Sequence, residues 1–130
     1  MSLHPHIPAL PEQVVQQLLL DKPATTDFFS TASRQYLHGI ANYFTGAGDR
    51  PTCTVANVAA AVGYPEYRRV IDVLAQDPQM QFYVASMRTA LQQGAEKQVA
   101  GIIATLQLDL SGLNPGPEAA ACVASFFTKK

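Results

Sequence analysis

Apolar residues recur along this chain with the period of a helix, and no sustained alternation of apolar and polar positions marks a strand. Val14, Val15, Leu18 and Leu19 fall on one face of a first segment, with Pro11 suited to its first position and Glu12 to its positive end. Lys22-Pro23 ends that segment, and Thr25, Thr26 and Asp27 form a cap-rich turn before the next. Tyr36, Leu37, Ile40, Tyr43 and Phe44 then stack at i, i+1, i+4, i+7 and i+8, the clearest helical stripe in the chain. The loop from Gly46 to Pro51 stops it. That loop lacks the G-K-[ST] of a phosphate cradle and reads as a turn.

The stretch Thr52–Gln92 organises the rest. Val55, Val58, Ala59 and Val62 share a helix face behind Thr52 or Thr54 as cap, and the small Ala59 and Ala60 let a crossing helix approach. Gly63 is expected to supply a positive backbone angle for a sharp turn. Pro65 and Glu66 would open a second helix, with Tyr67, Val70, Ile71 and Leu74 inward and Arg68, Arg69 and Asp72 outward. Asp77-Pro78 closes it and opens a longer third helix striped by Met80, Tyr83, Val84, Met87 and Leu91. After a bend at Gly94, Val99, Ile102, Ile103, Leu106 and Leu110 stripe another helix whose polar cover is thin. The Gly/Pro-rich run 112–117 breaks it before a last short helix carrying Phe126-Phe127. The pattern predicts an all-α chain: an extended Pro-rich arm over 1–11, a multi-helix orthogonal bundle over 12–112 with a helix-turn-helix at about 53–76, and a linker with a short C-terminal helix over 113–130. Such arms often lie on the next subunit of an oligomer.

Composition narrows the function classes. A hydrophobic fraction of 48% with 15% charged residues supports a core and leaves apolar surface for partners, so a homo-oligomer is expected. Ile102, Ile103, Leu106, Phe126 and Phe127 are the candidate contacts. A net charge of -1 argues against strongly electrostatic nucleic-acid binding. Cys53 and Cys122 have no CxxC or CxxH neighbour and read as reduced thiols, and His4 and His6 lack a third ligand, so neither metal nor cofactor is expected. His38 reads as a boundary residue. No serine sits in a G-x-S-x-G elbow and no carboxylate pair shares an apolar face, so no catalytic residue is assigned and no enzyme is expected. Neither a membrane span nor a signal peptide is read from the sequence.

Two short helices joined at a glycine, small residues in the first and an apolar stripe in the second, form the helix-turn-helix pattern. The order of a helix ending Tyr43-Phe44-Thr45-Gly46, then TVANVAAAVGYP, then VLAQDPQMQFYVASMR resembles the N-terminal domain of the small terminase subunits of tailed bacteriophages. The matching positions are Ala59, Gly63, Tyr64, Leu74, Asp77 and Pro78, within residues 34–92. The resemblance implies a ring-forming, non-enzymatic adaptor that recognises viral double-stranded DNA and presents it to a large terminase subunit, in the host cytoplasm or the virion. It makes Tyr64, Tyr67, Arg68 and Arg69 the candidate DNA contacts, against an acidic first turn at Glu66 that repels phosphate. The alternative for Arg68 is a surface pair with Asp72. The alternative for the chain is a structural helical subunit of a virion or other large assembly, such as a connector, completion or decoration protein, with no DNA contact.

Overall fold

The computed structural model describes residues 4–19, 28–46, 48–110 and 112–129, with the backbone alone for 28 and 29. Among them the chain is all-helical: α1 (Pro11–Leu18), α2 (Phe28–Tyr43), α3 (Val55–Val62), α4 (Tyr67–Gln76), a 3-10 turn (Gln81–Tyr83), α5 (Ala85–Gln92), α6 (Glu96–Asp109) and α7 (Pro117–Lys129). The cap-rich turn expected at Thr25–Asp27 lies outside the described residues.

Local signals behave as elementary helix chemistry dictates. Pro11 occupies the first turn of α1, and the Gln13 side chain reaches back to accept from the Leu10 N–H. Thr54 is the cap of α3: its hydroxyl accepts from the Asn57 N–H at 3.0 Å. The bend at Gly94 is a Schellman stop. With Gly94 at a φ of 83°, the Ala95 N–H reaches the Ala90 carbonyl and the Gly94 N–H that of Leu91.

Other expectations are corrected. Gly63 has a φ of -78°, so the turn after α3 needs no left-handed residue. Pro65 does not start α4, which begins two residues later behind Glu66. The long third helix is broken: the chain turns through a 3-10 segment before α5 starts at Ala85, although Val84 and Met87 are buried and Met80 and Leu91 pack on the core as the stripe requires. The arm is tied to its own chain. The Ala56 N–H donates to the Pro5 carbonyl at 2.8 Å and the Ala9 N–H to the Cys53 carbonyl at 3.0 Å, which fastens the arm to its own chain at the start of α3.

One apolar core takes side chains from every α-helix. The C-terminal helix is part of it: α7 is the principal partner of α3, with Ala119, Val123, Phe126 and Phe127 turned inward. Burying the two phenylalanines contributes about 1.5–3 kcal/mol each to docking this helix. Within this core α3 lies closest to α7 and α1, and α4 closest to the 3-10 turn and α5.

Candidate interaction surface

The four residues singled out for DNA contact lie in the turn after α3 and the first turn of α4: Tyr64 and Arg69 meet the end of α7, Tyr67 packs on the core, and Arg68 faces Glu96 of α6. Tyr64 is half-buried, its ring 5.5 Å from that of Phe127 and its hydroxyl 3.3 Å from Thr128 Oγ1. Tyr67 packs on the core beside Tyr36. Burial, with Tyr67 adding to it, pushes the Tyr36 phenol well above its usual range, and Tyr36 Oη has no hydrogen-bond partner among the described residues.

The two arginines are both engaged. Arg69 Nε donates to the Phe127 carbonyl at 3.0 Å. Phe127 lies in the last turn of α7, where carbonyls have no intrahelical donor, so Arg69 supplies a C-terminal cap. Arg68 pairs with Glu96 at 2.8 Å and not with Asp72, and the hydrogen bond to Glu96 holds its guanidinium above the usual value. Glu66 and Asp72 are exposed on the same helix start, so three carboxylates share this surface with two guanidinium groups.

Side-chain caps from distant elements recur. Arg50 Nη1 donates to the Tyr43 carbonyl at the end of α2 while its Nη2 meets Asp77 Oδ2, both at 3.1 Å. The guanidinium also lies over the Tyr43 ring, 3.9 Å from its centre. Asp77 uses its other oxygen to accept from the Gln79 N–H. Gln107 on α6 donates to the Val62 carbonyl at the end of α3. Sequence reading left Arg50 in a plain turn and passed over Gln107. A lone arginine just past a helix end is the only signal that could have found the first.

The five residues expected to contact partners are placed in the chain's own interior. Ile102, Ile103, Leu106, Phe126 and Phe127 are each at most 6% exposed, so their apolar surface is satisfied within one chain. Among the described residues the large apolar side chains that face solvent are Ile7, Leu10, Phe82, Leu108 and Leu113, with Phe82 at 62% and Leu108 at 73%. Leu108 was legible as the leucine off the α6 stripe, and Phe82 likewise lay off the stripe of Met80, Tyr83, Val84, Met87 and Leu91.

Leu113 rims a mainly apolar groove of about 260 Å³, walled by Ala59 and Ala60 of α3, Leu110 beyond α6, Pro115, and Ala120 of α7. Among the described residues no three His, Cys, Asp or Glu could hold a metal ion, and no helix is long and apolar enough to cross a membrane. His4 accepts from the His6 N–H through Nδ1 as part of the arm's turn. His38 is half-buried. Cys53 is buried and its thiol is pushed up to about 11 by desolvation, whereas Cys122 is exposed on α7.

Comparison with protein-family models, with curated proteins and with solved structures finds no match to this chain.

Proposed function

We propose that this chain is a non-enzymatic, all-helical structural subunit of a larger assembly, a virion or a comparable multi-chain particle, and that it works by protein contact. The observation that carries the reading is electrical. The two guanidinium groups singled out for DNA contact are already committed, Arg69 to the α7 end and Arg68 to Glu96, while Phe82, Leu108 and Leu113 stand in water. Affinity for nucleic acid comes mainly from cations free to replace counterions. Protein interfaces instead favour aromatic anchors and arginine within charge-poor surface.

A DNA-packaging adaptor akin to the small terminase subunits is the second reading. It is favoured by the guanidinium of Arg68, which is 49% exposed and could exchange Glu96 for a phosphate. Duplex DNA titrated at rising salt separates the two. The structural reading expects no binding beyond weak, sequence-independent association at the lowest salt. Tight binding that falls steeply with salt and disappears in Arg68→Ala, with the fold intact, would overturn it.

A further inference from the structure

Resting on the structural-subunit reading, we infer that the occupant of the groove between α3, α6 and α7 is Phe82 of a second copy of this chain, with Arg88 of that copy meeting Asp109 beside the groove.

The plug is prepared. Phe82 stacks on Tyr83 with ring centres 4.1 Å apart, and the Tyr83 side chain in turn abuts α2 at Gly39. An exposed aromatic held this way loses little freedom on docking, the condition for an anchor residue. The socket has the size: cavities of about 150 Å³ admit a benzene ring, and this groove holds about 260 Å³ between mainly apolar walls.

Charge selects the pairing. From residue 78 to residue 93 the only charged residue is Arg88, and from 98 to 117 the only one is Asp109. Both are exposed, and neither has an ionic partner among the described residues. Arg88 follows Phe82 by six residues, whereas Asp109 adjoins the groove residue Leu110 and Glu118 adds a second exposed carboxylate near Ala120, so the two sides carry opposite charge. Opposite charges on the two sides fix orientation and reject the reversed docking.

The contact must run between copies. The 3-10 turn packs on α2, α4 and α5, whereas the groove is walled by α3, α7 and the far end of α6. From its start beside α5 to Gln107, α6 covers roughly 16 Å. Plug and socket are therefore different surfaces. Their contact is head-to-tail, and it propagates until it closes into a ring or continues as a filament.

Sedimentation velocity over a concentration series tests this with Phe82→Ala, which removes the plug, and Ala120→Trp, which fills the socket from an exposed position. The wild-type chain should associate, and each variant should weaken association by about tenfold or more. An equimolar mixture of the two should recover a dimer and nothing larger, because one partner keeps only a socket and the other only a plug. Arg88→Asp and Asp109→Arg should each weaken assembly, and the double reversal should restore it. The far-UV circular dichroism of every variant is measured alongside. A wild-type chain that stays monomeric at all concentrations overturns the proposal, as does assembly that all four substitutions leave unchanged. Neither outcome touches the structural-subunit reading, which fails only if duplex DNA is bound tightly, with a steep salt dependence and a loss in Arg68→Ala.

Discussion

Arg69 Nε donates to the carbonyl of Phe127 at 3.0 Å, across a sequence separation of 58 residues. One bond thereby ties the first turn of α4 to the last turn of α7 and removes a guanidinium from the surface where nucleic acid would meet it. Arg68, its neighbour, makes the opposite choice and pairs in solvent with Glu96. Arg69→Ala should therefore destabilise the fold by about 1.5–3 kcal/mol, the range for a hydrogen bond to a charged group. Arg68→Ala should leave the unfolding midpoint essentially where it is, because exposed ion pairs contribute little. Urea unfolding of both variants checks the contrast. Equal losses would mean that the cap on α7 is not what Arg69 provides.

Gly39 is the contact point of α2 with the 3-10 turn. A β-carbon there would stand 2.9 Å from Tyr83 Cβ, closer than two such atoms approach. Gly39→Ala gains about 1 kcal/mol of helix propensity and should still destabilise, by roughly 1–3 kcal/mol before that gain is counted. In the Tyr83→Gly background, which removes that Cβ, the same substitution should become neutral or stabilising. A double-mutant cycle by chemical denaturation reads the sign, and additivity would disprove the close approach.

Tyr36 is wholly buried with no partner for its hydroxyl among the described residues. Removing an unsatisfied polar atom from a core relieves its desolvation cost, of order 1–3 kcal/mol. Tyr36→Phe should accordingly raise the melting temperature. A fall would show that the oxygen is bonded, for which an internal water is the physical candidate.

The two thiols should behave differently with pH. Burial raises the Cys53 thiol to about 11 in the folded chain from its ordinary value of 9.0. Between those values the unfolded chain has lost the proton that the folded chain keeps, so stability falls as pH rises through this window. The phenol of Tyr36, raised in the same direction, adds to the loss above about pH 10. Unfolding free energies from pH 8 to 11 should decline, and Cys53→Ala should flatten the first part of the decline. In native protein at pH 8 a thiol reagent should modify Cys122 alone, with Cys53 reacting only in denaturant. Two equally fast thiols would contradict the burial of Cys53.

The helices themselves were largely legible. The stripe Tyr36, Leu37, Ile40, Tyr43 and Phe44 is buried to the last residue, and so is Val99, Ile102, Ile103, Leu106 and Leu110. Turn geometry was less so. Proline and glycine show that a segment ends, yet Gly63 sits at an ordinary φ, and Pro65 precedes the helix it was expected to begin. The candidate site was legible only as a set of residues. Tyr64, Tyr67, Arg68 and Arg69 are neighbours in sequence, but Tyr64 and Arg69 are held by the end of α7, Tyr67 by the core and Arg68 by Glu96, none of which a local pattern indicates.

The division has a physical basis. Helix period, a threonine cap and a Schellman glycine depend on groups within a turn or two of one another, so they are written in neighbouring residues: Thr54 with Asn57, Gly94 with Leu91. A stripe likewise states which face is apolar and is silent on what covers it. Phe126 and Phe127 called equally for a partner chain or for the chain's own α3, and packing chose the latter. A guanidinium offers five donors to any acceptor within reach. Packing alone sets Arg69 against a carbonyl, Arg50 against Asp77 and Tyr43, and Arg68 against Glu96, and in doing so decides which charge is left for the outside.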